Sequence, residues 1–569
     1  MVKKKNSRKY KVQALVHLTI LIAIILLLNV ISTFVYSRLD LTEDNRYTLG
    51  YSTKQMMQGL DDIVYIKVYL EGELPAGFRK LQESTRELLD ELEVYSGGMV
   101  QYEFIDPLAG KDAKDKRYIM EQLQGQGLEP VDLEVAGDEQ TIRKVIFPGA
   151  ILTYRNRSVP VSLFENQMGM APLQVLHNSE VGLEYQLANA LRRVRNTWKP
   201  DVAFIHGHGE LDTIHTADLR QELRNYYRVS DLNLTQYKVE KLQEYEVAIV
   251  AKPDTTFSEV DKFKIDQFIM NGGKVLWLID RLKADLRSLG PDGTGLTNDY
   301  PLNITEDLLF GYGVRINPDL VQSMQAGFIP IVTGTSGGRP QTSLKKWVFY
   351  PLAGEDAPHP IVKNSNPVML KFSNSLDTVK VENVEKTVLL STSPNSRLVY
   401  NPVRINLQMV RENPNPALFN KGQIPVAILL EGNFTSVFRN RLAPQTLESG
   451  QYGDVREKSD TTAMIVVSDG DVASSQISPD GRQVLPLGYD RYTNQTFGNK
   501  TFILNCIDYL AGHSGLLALR TKEIRMRMLD QARVKENKVI WQVINTVLPL
   551  VFLILFGIIY NYVRKRKYS

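Results

Sequence analysis

"FSEVDKFKIDQFIMNGGKVLWLID", residues 257–280, is the stretch whose reading decides the fold. Ser258 followed three positions later by Asp261 is a helix-start pairing, because such side chains satisfy N–H groups left free in the first turn. Gly272 and Gly273 stop the helix, since glycine enters the left-handed region at little cost. "KVLWLID" is an apolar run without alternation, the pattern of a strand buried on both faces. A capped helix feeding such a strand is half of a parallel β-α-β unit.

Working outward, the same alternation recurs. Upstream lie a strand and its exit loop in "DVAFIHGHGE" (201–210), a helix in "TADLRQELRNYYRV" (216–229) and a strand in "YEVAIVAKPD" (245–254). Far downstream, "TAMIVVSDGD" (462–471) reads as one more strand and "GNKTFILNCIDYLAG" (498–512) as its helix. This pattern predicts a parallel sheet with helices on both faces, spanning 198–515 with insertions. In such sheets ligands gather beyond the carboxyl ends of the strands. Those ends carry His206, His208 and Glu210, then Lys252 and Asp254, then Asp280 and Arg281, then Ser468, Asp469 and Asp471. The ten residues form the candidate ligand cleft. The competing reading is that Asp and Gly at strand exits serve only as turn formers and caps.

Chemistry at that edge is tested residue by residue. His206 and His208 alternate with glycine, so an extended backbone would point both the same way. With Glu210 they would supply two imidazoles and a carboxylate, a catalytic zinc set. The spacing is nonspecific, and no catalytic residue is assigned on it. "GTSGG" (334–338) matches G-x-S-x-G, but a nucleophile elbow needs a helix directly after the serine, and Gly337-Gly338-Arg339-Pro340 is loop composition. The region resembles class I glutamine amidotransferase-like folds, whose nucleophile is a cysteine at a strand-to-helix turn. Cys506, the one cysteine, lies inside a helical pattern instead. No Walker A sequence is present and no cofactor is called for.

Residues 37–197 form a separate pattern, β-α-β-α-β-β-α, which resembles the thioredoxin-like fold. "IVYIKVYL" is its first strand, and "FRKLQESTRELLDELEVY" places Phe78, Leu81, Leu88, Leu89, Leu92 and Tyr95 on one helical face. "AILTYRN" and "RSVPVSLF" form a hairpin, and "NSEVGLEYQLANALRRV" a helix capped by Asn178 or Ser179. Without cysteines the module has no thiol exchange. Pro148, just before the third strand, is expected to be cis, as that fold usually has it.

The ends differ from the middle. Residues 12–36 and 539–563 contain no acidic or basic residue other than His17, and each would be roughly 37 Å long as a helix, enough to cross a bilayer core. Six basic residues in 1–11 hold the N-terminus in the cytoplasm, and two spans return the basic tail 564–569 to the same side. The body would then lie outside the cytoplasm, joined to the second span by a linker at 516–538. Setting aside the ten basic residues of the tails leaves 57 basic against 64 acidic residues, an acidic body that argues against a nucleic-acid partner. Asn29 and Asn545 fall at similar depth in the two spans and are expected to bond each other or a partner.

Several of these stretches in order, "LDLTEDNRYTLGYST" (39–53), "GHGELD" (207–212), the 257–280 stretch, "SDGD" (468–471) and 498–512, resemble the gliding-motility-associated ABC transporter auxiliary proteins, the GldG type. His208, Gly209 and Glu210 are more typical of that motif than His206. The resemblance implies a bacterial inner-membrane subunit with both termini cytoplasmic and its body in the periplasm. Its partners would be a separate ABC permease, a separate ABC ATPase and membrane lipid, together with an unknown ligand or envelope protein. The resulting fold class is α/β, with two extracytoplasmic modules (thioredoxin-like, then amidotransferase-like) between two transmembrane helices. The leading functional reading is a non-catalytic transporter component. The alternatives are a periplasmic metal-dependent hydrolase working from His206, His208 and Glu210, and a structural strut linking envelope layers.

Overall fold

The computed structural model describes residues 12, 15–27, 48–521 and 537–568, apart from 137–140, 168–169, 196–198, 337–338, 355–356, 412, 440 and 442–454. It divides into two units, Met1–Lys522 and Glu523–Ser569. The architecture is mixed α/β.

The first sheet follows the short helix α1 (Tyr51–Gln58). Its strands are β1 (Val64–Val68), β2 (Val100–Phe104), β5 (Gly149–Tyr154) and β6 (Arg157–Ser162), in the order β2-β1-β5-β6. β1 pairs parallel with β2 and antiparallel with β5, and β5 and β6 form the expected hairpin. Burial in β1 alternates, with Val64, Ile66 and Val68 facing the core. Helix α2 (Ala76–Tyr95) buries Phe78, Leu81, Leu89 and Leu92 in that core, with Leu88 and Tyr95 packed at its margin. Helix α3 (Ala113–Gly125) is capped by Asp112.

Three expectations fail here. A hairpin, β3 (Val131–Ala136) with β4 (Thr141–Ile146), intervenes before β5. Helix α4 (Pro172–Arg195) starts a turn and a half early, so Asn178 and Ser179 lie inside it. Ser179 Oγ donates back to the Val175 carbonyl at 2.9 Å instead of capping. Pro148 is not cis, since the one cis peptide among the described residues is Asn401–Pro402. Gly149 N–H donates to the Phe147 carbonyl at 2.8 Å and Leu163 N–H to the Pro148 carbonyl at 3.0 Å. That tight turn uses the fixed φ of a trans proline.

The second sheet has seven strands. β7 (Asp201–His206), β8 (Arg228–Asn233), β9 (Val247–Ala251), β10 (Lys274–Leu278) and β16 (Lys458–Val467) run parallel in the order β8-β7-β9-β10-β16. β15 (Pro425–Thr435) and β14 (Val384–Ser391) extend it by antiparallel pairing. Helix α5 (Ala217–Leu223) is shorter than expected, because the β-branched and aromatic end of "NYYRV" belongs to β8 and its approach. Helix α6 (Glu259–Met270) has the Ser258 cap, with Asp261 N–H donating to Ser258 Oγ at 3.1 Å, and Gly272 follows at φ +90°.

Both faces of this sheet are covered, which explains its unbroken apolar runs. Val202, Phe204, Leu276 and Leu278 pack with helix α7 (Asn499–Leu510) on one face, where Cys506 is fully buried. Ala203, Ile205, Val275 and Trp277 pack with α6 on the other. Tyr185 and Ala188 of α4 enter the first of these cores, and Arg192 meets Asp508 of α7 at 3.0 Å with both side chains about 10% exposed. The two sheets are therefore fastened together.

Between β10 and β14 the insertion contains β11 (Asp319–Ser323), β12 (Ala326–Ser336) and β13 (Arg339–Ala353), with a core of its own around Trp347, Phe349 and Phe372. Ser336 ends β12 opposite Arg339, so no helix follows it.

The second unit holds a helix from Lys538 to Tyr568 that contains Pro549. Its stretch Ile540–Arg566, mean hydropathy 2.4, is long and apolar enough to cross a membrane. Asn545 is exposed on it. Of the expected first span, the described part is the apolar helix Leu15–Leu27, and Asn29 lies outside the described residues.

Candidate functional site

Chain order reverses between β7 and β9, since β8 lies outside β7 while β9, β10 and β16 build the other way. Such a switch point opens a crevice beyond the carboxyl ends of the strands. The expected cleft residues sit at that edge but divide into separate groups.

At the end of β7, Gly207 (φ +124°) and Gly209 (φ +78°) turn the chain. A Cβ on Gly209 would stand 1.6 Å from Asp254 Oδ1, so only glycine fits against that carboxylate. The turns send the two histidines apart. His206 Nε2 lies 2.7 Å from Asp231 Oδ1 of β8, which Arg220 also meets at 2.7 Å. Burial works against the Asp231 charge, yet His206 and Arg220 hold its carboxyl below the usual range.

His208 is 2% exposed and stacks on Phe257, with ring centroids 3.6 Å apart. Its Nδ1 is 3.3 Å from Glu210 and its Nε2 3.4 Å from Asp261, while its N–H donates to Glu210 at 2.7 Å. Asp261 also takes Lys264 Nζ at 2.9 Å and Ser258 Oγ at 2.7 Å. Asp254 N–H donates to the His208 carbonyl at 2.9 Å. His208 thus ties the β7 exit to the start of α6. The proposed zinc trio does not converge: His206 faces β8, and His208 with Glu210 faces α6.

Lys252, Asp280, Asp469 and Asp471 do converge. Lys252 adopts φ +54° and places Nζ 2.6 Å from Asp471 and 3.2 Å from Asp280. Gly470 N–H donates to Asp280 at 2.6 Å, and Asp469 accepts from Lys371 N–H at 2.6 Å and Asp471 N–H at 2.7 Å. Burial pushes the Asp280 carboxyl up to about 6 against the pull of Lys252, and pushes Asp469 well above the carboxylate range, helped by Asp280 and Asp471. Burial opposes the charge on Lys252, but Asp280 and Asp471 raise its pKa above the usual value. The three aspartates bring carboxylate oxygens within 4.8 Å of one another, the spacing of a cation site. The cation held there is the Lys252 ammonium. Asp471 also borders a cavity of about 480 Å³ with Asp285, Arg287, Tyr350, Lys371 and Arg491. Ser475 lines it as well, and its buried hydroxyl has no partner among the described residues.

Two predicted members turn elsewhere. Arg281 binds Thr305 at 2.6 Å and Glu306 at 2.7 Å, and Ser468 Oγ donates to the Asn374 carbonyl at 2.6 Å. Lys371, Tyr350 and Asp285 come from the insertion, where no strand-exit pattern marks them.

Residues 199–506, more than half of the chain, match the model of a family described as an ABC-type uncharacterized transport system. The chain belongs to this family. In this ABC-type transport-system protein, residues 43–153 match a second model, a domain of unknown function. A relative in Borreliella burgdorferi, described as an uncharacterized protein, is 23% identical over 447 residues, covering 76% of this chain and 80% of the relative. Among solved structures, the N-terminal domain of mmIFT52 aligns at 15% identity and a TM-score of 0.30, covering 55% of this chain and 97% of that one. A ThuA-like protein from Bacteroides uniformis aligns at 14% identity and a TM-score of 0.26, covering 55% and 93%. Both scores are too low to bear on fold or function.

Proposed function

We propose that the protein is a non-catalytic, membrane-anchored auxiliary subunit of an ABC transport system of the gliding-motility type, working beside a separate permease and a separate ATPase. The family match over 199–506 is the observation that carries this reading. The apolar helix Ile540–Arg566 supports anchoring, and the basic tails support termini in the cytoplasm with the body in the periplasm. The order β2-β1-β5-β6 supports a thioredoxin-like relationship for the first sheet, against which the trans Pro148 counts. The second sheet, with a buried helix in place of a cysteine elbow, supports an amidotransferase-like relationship without the nucleophile.

The cavity beside Asp471 is the ligand cleft of this reading. Mixed polar walls and a buried hydroxyl without a partner among the described residues suit a small polar ligand, because a ligand oxygen there would accept its hydrogen bond. Affinity purification of the intact chain from its own membranes, after mild crosslinking, tests the assignment. The expected companions are one permease and one ATPase polypeptide. Their absence, or substrate turnover by the isolated 48–521 region, overturns it.

A further inference from the structure

A second cavity, of about 840 Å³, opens beside the β12–β13 hairpin and shares only Phe328 with the one at Asp471. Trp347, Val348, Val410 and Phe419 line it and are buried. Leu344 and Leu418, 40% and 53% exposed, stand among its lining residues as apolar surface open to water. Met324 and Met409 add pliable thioethers that adapt to varied shapes. Every charged residue among the described lining is positive: Lys345, Lys346 and Arg397. None of the three has an acidic partner among the described residues, and burial pulls the Arg397 pKa down.

An apolar trough with cations of one sign at its side selects an occupant with a long apolar part and an anionic end. A peptide fits poorly, because each residue brings an N–H and a C=O that need partners. An acyl chain brings none. We propose that this cavity binds a single-chain anionic amphiphile of the long-chain fatty-acid class, its chain along Trp347, Phe419 and the two methionines and its carboxylate among Lys345, Lys346 and Arg397. The volume lies within the range of ligand pockets, and the exposed leucines supply the apolar patch that such a ligand would cover. This site does not depend on the ABC reading.

The test uses the full chain in lipid nanodiscs with a diazirine-bearing palmitate, and maps the photo-adducts by peptide mass spectrometry. Adducts are expected within 344–348 and 409–419. Lys345→Glu with Lys346→Glu should lower labelling by the acid several-fold and leave labelling by the matching diazirine alcohol unchanged, because only the charge match is lost. Leu418→Arg should lower both. These positions are exposed, so an unchanged thermal melt verifies folding. Adducts confined to 540–566, labelling indifferent to all three substitutions, or a protein partner crosslinked there without any acyl adduct would each overturn the proposal.

Discussion

His208 and Lys252 follow neighbouring strands of one sheet and put burial to opposite uses. Around His208 the ring is stacked, both nitrogens face carboxylates, and the start of α6 closes over them. Around Lys252 the ion pairs are closer still, but Asp471 borders open volume and burial drives Asp280 and Asp469 toward protonation. Polar groups at strand exits become a latch where the following helix covers them. They become a candidate site where an insertion leaves space beside them.

The sharpest break of this comparison is Lys252→Met. Removing the ammonium leaves three close aspartates without their cation, and the loss should be about 3–5 kcal/mol by chemical denaturation. Asp280→Asn in the same background should restore part of it by relieving the repulsion. A loss below about 1 kcal/mol would mean that the cluster is not held by its ion pairs. Next in size is His208→Ala, expected to lose about 2–3 kcal/mol through the lost ring burial and stacking on Phe257 and the loss of one contact to each of two carboxylates. His206→Ala, in a partly exposed pair, should lose under about 1 kcal/mol. Equal losses would mean that the deeper burial of His208 adds nothing to its contribution.

The last effect is a slope with pH. Asp280, with its folded pKa raised above the unfolded one, binds its proton more tightly in the native state. Its contribution therefore falls as pH rises from the ordinary carboxylate value through about 6. Between pH 5 and pH 7 this amounts to about 1 kcal/mol of stability lost. Asp280→Asn should remove that slope, seen as a flatter difference in Tm against wild type, and an unchanged slope would place the titration elsewhere.

Strands β9 and β10 of the second sheet were legible because burial on both faces leaves unbroken apolar runs in "VAIVA" and "VLWL". The Ser258 cap and the Gly272 stop were legible for the same local reason: each depends on its own backbone conformation. "NYYRV" was not, since its apolar residues suit either a helix or the edge strand that tertiary pairing with β7 selects. Of the site, the sequence located the strand exits but not their grouping. Gly207 and Gly209 break the extended geometry that would have aligned His206 with His208. Lys371 and Tyr350 reach the cavity through long-range packing of the insertion and Ser475 from the segment after β16, and no periodicity records such contacts.

The Arg192–Asp508 pair, with Tyr227 also donating to Asp508, spans the seam between the two sheets. A nearly dry electrostatic rivet of this kind resists sliding, and the shared apolar core around Tyr185 resists opening. Any tilt of the four-stranded sheet against the seven-stranded one would have to break this pair and expose that core, so the seam opposes a hinge there.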